Sequence, residues 1–413
     1  MEYGLIGEKL SHSYSKEIHE SLGRYRYELK EIEKDKISDF LTNKNFRGIN
    51  VTIPYKETVI PFLDVIDDKA KEIGAVNTIV NRDGILYGYN TDFYGMLSLI
   101  QKSGFDFTES RVLILGTGGT SKTAMAVCNF LKAKEIVRVS RHEGGDAITY
   151  EKAASDYSNA DFIINTTPAG MYPKIDACAI SLKSFKNLKA VYDVIYNPCR
   201  TRFMLEAESM HVKAFGGLKM LVGQAFKAAE LFLSENVDES LEESVFKKIR
   251  ARHENIVLIG MPGAGKSTIG RILSDKLNYE LIDTDKLIVE REGCEISDIF
   301  SSKGEGYFRD LESKVIKEVS LKKNVIISTG GGAILRDENV NALKAYGRLY
   351  FLNRDISALT PTSDRPLADD FCKIKKLYKE RLPIYTKSAD ETIDGDKGID
   401  FEISEILRLQ DEY

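Results

Sequence analysis

Short runs of β-branched and other apolar residues alternate with helix-like segments along almost the whole chain. This alternation constrains the fold more than any other feature. The runs occupy residues 111–116, 135–140, 161–166, 190–195, 255–260 and 324–329. Because parallel strands need a crossover connection, usually a helix, such alternation is typical of α/β proteins with parallel sheets. The sequence therefore predicts an α/β fold.

The length of the chain and one charged interval predict how it divides. A chain of 413 residues exceeds the size at which a single core stops growing, roughly 250–300 residues. Residues 234–254, SENVDESLEESVFKKIRARHE, are highly charged and lack a sustained apolar face, so we expect a domain junction there. The junction should be partly helical, because four of its charged residues can pair along a helix. They are Glu242, Glu243, Lys247 and Lys248.

A softer boundary is expected near residues 101–111, just before a strong strand pattern. The predicted domains are residues 1–103, joined by a return helix at 218–233, then 104–250, then 251–413. The first two would form one module with two lobes, and all three have usual domain sizes.

Composition excludes several function classes. Lys plus Arg total 58 against 63 for Asp plus Glu, so a net charge of −5 offers no broad attraction to nucleic acid. No apolar run approaches the roughly 18–20 residues of a membrane span. Glu2, Glu8 and Lys9 stand where a signal peptide would be apolar. The five cysteines form no C-x-x-C pair and the five histidines no H-E-x-x-H motif, which argues against disulfides and zinc. We expect a cytoplasmic protein with no membrane partner and no indicated oligomer.

The strongest chemical signal is the segment GMPGAGKS at residues 260–267, which matches G-x-x-x-x-G-K-S/T in full. It follows an apolar run and opens a helical pattern, as this phosphate-binding loop requires. Its glycines let backbone N–H groups surround phosphate oxygens, Lys266 adds positive charge, and Ser267 can ligate Mg²⁺. The segment predicts ATP and Mg²⁺ as ligands. A nucleotide-binding switch without catalysis is the alternative.

Further polar groups follow this loop. Asp283 and Asp285 alternate at the end of a predicted strand, where one carboxylate can serve Mg²⁺ and the other can accept a hydroxyl proton. Arg309 and Glu312 share one face of a predicted helix, and a run of three glycines begins at Gly330. Taken singly, the aspartates could be a helix N-cap pair and Arg309 with Glu312 a surface ion pair.

Jointly, the segments GMPGAGKST, DTD, FRDLE, GGG, SDRPL and RLPIY resemble shikimate kinase across essentially all of residues 251–413. The resemblance implies that Asp285 binds shikimate hydroxyls and acts as the base, while Asp283 lies near Mg²⁺. It implies that Arg309 and Arg381 hold the substrate carboxylate. It also implies backbone contacts from Gly331 and Gly332. The implied ATP-binding residues are Gly260, Gly263, Ala264, Gly265, Lys266, Ser267, Thr268 and, from a lid, Arg365. The segment NRDISALTPTSDRPL departs from the family, since it is short and lacks the basic residues expected before Arg365.

A second glycine-rich segment, GTGGTSKTA at residues 116–124, follows another strand pattern. It is an imperfect G-x-G-x-x-G dinucleotide motif, because Ser121 replaces the third glycine. About 20 residues further on, where an acidic residue would bind a ribose 2′-hydroxyl, the chain carries Arg141. A guanidinium there favours the 2′-phosphate of NADP. A solvated arginine at a strand end is the alternative.

The first hundred residues contain SHSYS, INVTIPYKE, GAVNT and YNTD. Reduction of a ketone needs a proton donor at the developing alkoxide, and Lys56 beside Asp92 could supply it. Ser11, Ser13 and Asn77 offer neutral hydrogen bonds for hydroxyls and a carboxylate. Taken alone, Lys56 would be interpreted as a surface lysine.

These segments in this order resemble shikimate dehydrogenase, and the match continues through residues 165–171, 191–198 and 216–228, so that it covers about 1–250. The resemblance implies Lys56 and Asp92 as the catalytic pair. The implied substrate-binding residues are Ser11, Ser13, Thr52, Asn77, Asp92, Tyr196, Gly217 and Gln224. The implied NADP-binding residues are Gly116, Gly118, Gly119, Ser121, Arg141, Thr166 and Met171. The sequence departs from the family at Ser121 and at Ser-Arg-His 140–142.

The two resemblances fit one another. They predict an α/β substrate lobe and a Rossmann-like NADP lobe, followed by a P-loop kinase domain with a parallel sheet. The first module would reduce 3-dehydroshikimate to shikimate with NADPH, and the second would phosphorylate the 3-hydroxyl of shikimate with ATP. One alternative is a quinate-type dehydrogenase that uses NAD. Another is a non-catalytic regulator that senses nucleotides and redox state.

Overall fold

A computed structural model of the chain describes residues 1–10, 13–142, 144–359 and 371–412. The chain forms two compact units, Met1–Ile249 and a second unit that begins at Arg250. No helix among the described residues is both long and apolar enough to cross a membrane.

The first unit begins with a six-stranded sheet in the order β2-β1-β3-β5-β6-β4. Its strands are β1 Tyr3–Gly7, β2 Glu28–Glu31, β3 Gly48–Val51, β4 Val65–Ile66, β5 Thr78–Arg82 and β6 Ile85–Tyr89. Its helices are α1 Ser15–Ser21, α2 Ile37–Asn43, α3 Asp68–Ile73 and α4 Thr91–Lys102. Unlike the parallel pairing predicted from the alternation, β5 runs antiparallel to β3 and to β6. Asp83 and Gly84 join β5 to β6 with φ of 52° and 86°, a two-residue hairpin that leaves no crossover segment.

The second sheet is entirely parallel, in the order β12-β11-β10-β7-β8-β9. Its strands are β7 Arg111–Leu115, β8 Glu135–Ser140, β9 Ala147–Thr149, β10 Phe162–Asn165, β11 Ala190–Asp193 and β12 Lys213–Phe215. Its helices are α5 Gly119–Phe130, α6 Tyr150–Asp156 and α7 Arg202–Ser209. The strand order reverses between β7 and β10, and ligands of such sheets bind beyond the carboxyl ends of the strands at that point.

Two further helices, α8 Gly217–Leu233 and α9 Glu239–Ala251, complete the first unit. Helix α8 packs closely on α4. A Cβ atom at Gly95 would lie only 2.4 Å from the Met220 carbonyl oxygen, so the absence of a side chain at Gly95 permits this approach. The boundary between the two units, at Ile249 and Arg250, falls inside the interval 234–254. The expectation that this interval lacks an apolar face is wrong, since Val245 and Ile249 of α9 are buried in a cluster with residues of α1 and α8. The cluster includes Tyr14, Ile18, Val222, Ala225 and Phe226.

The acidic residues of α9 also bind neighbouring helices. Glu242 pairs with Lys102 of α4 at 2.7 Å, and Glu243 pairs with Lys219 of α8 at 3.2 Å. Two of the charges predicted to pair along a helix therefore attach α9 to the first unit.

The second unit has a five-stranded parallel sheet in the order β14-β15-β13-β16-β17. Its strands are β13 Asn255–Ile259, β14 Glu280–Asp283, β15 Val325–Ser328, β16 Gly347–Asn353 and β17 Glu391–Asp394. Its helices are α10 Lys266–Leu277, α11 Thr284–Glu292, α12 Ile296–Ser320, α13 Asp337–Tyr346, α14 Phe371–Ser388 and α15 Ile399–Glu412. Gly304 interrupts α12 with a φ of 84°. The phosphate loop follows β13, the central strand, whose apolar residues are all buried.

Candidate active sites

A cavity of about 540 Å³ opens beside the carboxyl ends of the strands in the first unit. It is lined by Leu5, Lys9, Leu10, Ser13, Ser15, Asn50, Val51, Thr52, Lys56, Asn77, Asp92, Thr120, Val194, Tyr196, Gly217, Met220, Leu221 and Gln224. The structure thus gathers every described residue that the sequence assigned to the dehydrogenase substrate site. Ser11, also assigned to it, lies outside the described residues.

The charged pair of this cavity is Lys56 and Asp92. The Lys56 ammonium donates a hydrogen bond to Asp92 Oδ2 at 2.6 Å. Asp92 lies in the first turn of α4, where Asn90 caps the helix by accepting a hydrogen bond from the Phe93 amide. The two side chains are 27% and 17% exposed, so both can reach a ligand. The pair provides a proton-carrying group beside a carboxylate that keeps it in place.

Asn77 ties the substrate side of this cavity to the start of α4. Its Oδ1 accepts a hydrogen bond from the Thr91 amide at 2.7 Å. The Thr91 hydroxyl lies 3.2 Å from Asn77 Oδ1 and also 3.2 Å from Oε1 of Gln224 on α8. Since Oδ1 of Asn77 is used within the protein, its amide nitrogen is the group left to donate to a ligand.

The buried side chain of Asn50 forms two further hydrogen bonds near Asn77. Its side-chain amide donates to Thr78 Oγ1 at 2.9 Å, and its Oδ1 accepts from the Tyr27 hydroxyl at 2.6 Å. Neither Asn50 nor Thr91 was among the site residues predicted from the sequence. Both stand inside the segments INVT and YNTD, so the available signal was their position next to assigned residues.

Tyr196 and Gly217 line the cavity on the side of the second sheet. Tyr196 lies in the loop after β11, and Gly217 is the first residue of α8. Tyr196 packs on Tyr14 with ring centroids 5.0 Å apart, and burial raises the pKa of its hydroxyl. Gly217 begins α8, and a Cβ atom there would lie 2.1 Å from the Val194 carbonyl oxygen. Only glycine therefore allows α8 to begin this close to β11.

The glycine-rich loop after β7 leads into α5. Gly116 has a φ of 110°, and a Cβ atom there would lie 2.8 Å from Thr166 Oγ1. At Gly118 and Gly119 an added Cβ would meet open space, so the backbone at the N-terminus of α5 is accessible to a phosphate. The Ser121 hydroxyl, assigned to cofactor binding, is buried and donates to the Gly118 carbonyl at 2.8 Å. This hydrogen bond stabilises the glycine-rich loop from its buried side.

The remaining cofactor residues surround this edge of the sheet. The Thr166 hydroxyl donates to the Leu115 carbonyl at 2.6 Å. Met171 is 46% exposed. Arg141, which the sequence assigned to a 2′-phosphate group, is exposed just past the end of β8.

A second cavity of about 660 Å³ lies in the second unit. It is lined by Pro262, Gly263, Gly265, Lys266, Ser267, Thr268, Asp283, Asp285, Lys286, Val289, Glu290, Glu295, Ile296, Phe300, Phe308, Arg309, Glu312, Ser328, Thr329, Gly330, Gly331, Gly332 and Arg381. Two assigned ATP-binding residues do not line it, because Ala264 is fully buried and the Gly260 carbonyl faces Lys266. Arg365, the assigned lid residue, lies outside the described residues.

The phosphate loop has the backbone form that its sequence requires. Gly263 and Gly265 adopt φ values of 83° and 89°, which disfavour other residues. The Lys266 ammonium donates to the carbonyl groups of Gly260 at 2.8 Å and Met261 at 3.0 Å. This arrangement holds the lysine charge across the loop, beside the N-terminus of α10.

Ser267 and Asp283 meet at the floor of the cavity, where the Ser267 hydroxyl donates to Asp283 Oδ2 at 2.7 Å. Asp283 ends β14 and caps α11 by accepting from the Lys286 amide. Asp285 is in the first turn of α11 and not on the strand, so the two carboxylates leave the backbone on different elements.

The described residues contain no group of three or more His, Cys, Asp or Glu side chains able to hold a metal ion. Ser267 and Asp283 nevertheless fit Mg²⁺ bound to a nucleotide, since that ion takes few protein ligands and completes its shell with water and phosphate oxygens.

Arg309 and Glu312 form a buried ion pair, which excludes the surface alternative. Their separation is 2.8 Å, and Glu312 is fully buried. Burial raises the pKa of Glu312 against the opposing effect of Arg309. The second contact of Arg309 is with Glu305 at 3.0 Å. The fixed guanidinium can present its remaining donors to a carboxylate.

Arg381 and Tyr385 of α14 reach the same glycine run. Arg381 donates to the Gly331 carbonyl at 3.0 Å, and the Tyr385 hydroxyl lies 2.5 Å from that oxygen. A Cβ atom at Gly330 would lie 2.4 Å from Asp285 Oδ1, and one at Gly332 would lie 2.1 Å from Arg309 Nη1. The glycines therefore leave room for an acidic and a basic side chain in the same cavity. Tyr385 was not among the site residues predicted from the sequence, although it ends the segment RLPIY that begins with Arg381.

Comparisons with known proteins agree with this division. The family model described as shikimate dehydrogenase substrate binding domain matches residues 5–79, and the model described as shikimate kinase matches residues 262–409. Over 272 residues, 60% of this chain and 98% of the relative, the sequence is 40% identical to shikimate dehydrogenase (NADP(+)) of Clostridium perfringens (strain SM101 / Type A).

Solved structures of shikimate dehydrogenases are similar to 60% of this chain. Shikimate dehydrogenase 1 from Peptoclostridium difficile is 36% identical with a TM-score of 0.55, covering 60% of this chain and 98% of that chain. Shikimate 5-dehydrogenase from Thermus thermophilus in complex with NADP(H) and shikimate is 28% identical with a TM-score of 0.54, covering 60% and 99%.

Proposed function

We propose, for a chain that belongs to the shikimate dehydrogenase family and carries a shikimate kinase family domain, two consecutive reactions on one polypeptide. The protein is a bifunctional enzyme of the shikimate pathway that uses NADP and ATP. The first reaction would be reduction of 3-dehydroshikimate to shikimate, and the second transfer of a phosphoryl group to the 3-hydroxyl of shikimate. One observation carries the proposal. Each cavity is lined by polar residues suited to bind a substrate and also contains a group able to transfer a proton, Lys56 in the first and Asp285 in the second.

In the first cavity, NADPH supplies the hydride when it is bound. Lys56 delivers the proton to the carbonyl oxygen, which becomes an alkoxide when the carbonyl carbon accepts the hydride. Asp92, 2.6 Å from the ammonium, keeps that group at the carbonyl and stabilises its charge. The hydroxyl groups of Ser13 and Thr52 and the amides of Asn77 and Gln224 line the same cavity, and they suit a polyhydroxylated carboxylate.

In the second cavity, ATP supplies the phosphoryl group when it is bound. Lys266 and the N-terminus of α10 would hold its phosphate oxygens, and Ser267 with Asp283 would hold Mg²⁺. Arg309 and Arg381 would bind the carboxylate of shikimate. Asp285 would then accept the proton of the attacking hydroxyl. Its carboxylate lies against Gly330 and lines the same cavity as the phosphate loop, Arg309 and Arg381.

Two alternatives differ in what they require. A quinate-type enzyme that uses NAD would not need a guanidinium past β8, and Arg141 stands there. A sensing regulator needs binding but no proton transfer, so it gives no reason for Lys56 to pair with Asp92 inside a cavity. A cytoplasmic location stays a prediction.

The test is a coupled assay on the full chain. With 3-dehydroshikimate and NADPH we expect NADPH oxidation, and with shikimate and ATP we expect ADP release. With 3-dehydroshikimate, NADPH and ATP together, shikimate 3-phosphate should form. Activity with quinate and NAD that exceeds the NADPH reaction would overturn the first assignment. Absence of both turnovers in folded protein would favour a regulator.

A further inference from the structure

The carboxyl ends of β10 and β11 carry a buried polar pair that the proposed reaction does not use. Asn165 ends β10 and Asp193 ends β11, and the two residues are register partners on adjacent parallel strands. Both side chains are fully buried. Asn165 Nδ2 donates to Asp193 Oδ1 at 3.1 Å. A carboxylate is costly to bury without partners, so its contacts need an explanation.

Asp193 also organises the loop that follows its own strand, residues 194–201. Its Oδ1 accepts from the Ile195 amide at 3.0 Å, and its Oδ2 accepts from the Thr201 hydroxyl at 2.6 Å. The Ile195 carbonyl in turn accepts from the Gly217 amide at 3.0 Å. This loop carries Tyr196, which lines the first cavity, so the Asp193 carboxylate helps to fix the position of that side of the cavity.

Asn165 performs the same task for the loop that follows β10, residues 166–172. Its Oδ1 accepts from the Thr167 amide at 3.0 Å and from the Thr167 hydroxyl at 2.7 Å. The two loops meet again where the Tyr172 amide donates to the Asn197 carbonyl at 3.1 Å. This loop carries Thr166 and Met171, the residues assigned to the cofactor side.

We propose that Asp193 is a positioning residue of the dehydrogenase, whose buried carboxylate joins the cofactor-side loop 166–172 to the substrate-side loop 194–201. The inference rests on the proposed function for what the two loops bind. Burial raises the pKa of Asp193 to about 6, so above that pH the carboxylate is ionised and both oxygens can accept. Hydride transfer depends on the separation of the two ligands, and displacement of either loop would change that separation.

The test compares Asp193→Ala with a matched control, Asp161→Ala, in the full chain. Asp161 lies at the opposite end of the same sheet, where it accepts from the Arg111 amide at 2.9 Å and pairs with Lys189 at 2.8 Å. Both variants should lower the unfolding temperature of the first unit. Only Asp193→Ala should alter the kinetics of the folded enzyme, with kcat/KM of the dehydrogenase at least tenfold lower and KM raised for both NADPH and the carbon substrate. Kinetic constants within twofold of the Asp161→Ala values would overturn the proposal.

A second readout does not depend on turnover. Amide hydrogen exchange at Thr167 and Tyr172, whose N–H groups donate to Asn165 and Asn197, should be at least tenfold faster in Asp193→Ala and unchanged in Asp161→Ala. If Asp193→Ala does not fold, Asp193→Asn and Thr201→Val replace it, and each should raise both KM values by severalfold. Unchanged exchange and unchanged KM in those variants would overturn the inference. The wild-type chain could lack dehydrogenase turnover while Asp193→Ala still accelerates exchange at Thr167 and Tyr172. That result would contradict the proposed function alone.

Discussion

Lys56 and Asp92 are separated by 36 residues in the chain, yet the lysine ammonium donates to the aspartate carboxylate at 2.6 Å. Lys56 follows β3 and Asp92 lies in the first turn of α4. The antiparallel pairing of β5 with β3 and β6 brings the two connections together. The hairpin that departs from the predicted parallel pattern is therefore what assembles the pair.

Changing Lys56 to Ala should remove the proton donor of the reductase. We expect kcat to fall by a factor on the order of 10²–10⁴, while the kinase turnover of the same chain stays near wild type. Lys71→Ala, which removes an exposed lysine paired with Asp68 in the same lobe, is the control and should leave both activities unchanged. Equal losses in both activities of Lys56→Ala would contradict the assignment.

Two changes in the second cavity should separate nucleotide binding from transfer. Lys266→Ala should weaken ATP binding, whereas Asp285→Asn should preserve ATP affinity and abolish phosphorylation of shikimate. Calorimetric titration with ATP and an ADP-release assay measure the two effects. Asp310→Asn, which alters an exposed pair with Arg336, serves as the control. The base assignment is wrong if Asp285→Asn keeps most of its turnover.

Arg141 should determine the choice of cofactor. A charge-assisted hydrogen bond to a 2′-phosphate contributes about 1.5–3 kcal/mol. Arg141→Ala should therefore raise KM for NADPH by roughly tenfold or more and leave KM for NADH almost unchanged. Arg138→Ala, which changes an arginine within β8 that bonds to Asp146, should not change this preference. A wild-type chain that prefers NADH would contradict the assignment of Arg141 to the 2′-phosphate.

Acid should destabilise the first unit through His19. This ring is fully buried, stacks on Tyr27 at 4.0 Å and bonds the Tyr25 hydroxyl, and burial lowers its pKa to about 3. Its usual pKa of about 6.5 applies in the unfolded chain, so between these values the unfolded state binds more protons. The stabilisation is complete above about pH 6.5 and is lost as the pH falls, by about 2 kcal/mol at pH 5.

Denaturation of the full chain at pH 7.5 and pH 5 measures this effect, with the transition of the first unit identified by its shift on NADP binding. His19→Phe keeps a ring on Tyr27 and should reduce the pH dependence by that amount. His211→Asn changes an exposed histidine as the control. If His19→Phe retained the full pH dependence, another group would be responsible.

The position of α9 predicts where the chain can be divided. Fragments 1–253 and 254–413 should each be soluble and retain most of their own activity, because the residues proposed for each reaction lie on one side. Fragment 1–238 lacks Val245 and Ile249, each of which contributes about 1.5–3 kcal/mol when fully buried. It should unfold at a clearly lower temperature than fragment 1–253. Equal unfolding temperatures would contradict the packing of α9, and a fragment active only after mixing would contradict the independence of the two sites.

The sequence by itself determined the features that depend on neighbouring residues. The strands β7, β8, β10, β11, β13 and β15 lie within the predicted runs, because apolar periodicity acts locally. The segment 260–267 contains a complete phosphate loop in consecutive residues, so its pattern alone predicted Lys266 and Ser267 in one cavity. Family resemblance predicted the residues that meet around Lys56 and around Asp285.

Only the tertiary structure decided which polar groups are buried and what they bind. Arg309 with Glu312 could be a surface pair by sequence alone, yet Glu312 is fully buried. Asp193 and Asn165 stand 28 residues apart and meet through strand register. The charged sequence of α9 conceals two buried residues that pack against α1 and α8. Burial and register result from contacts between distant segments, and the free energy of a polar group depends on those contacts more than on its neighbours in sequence.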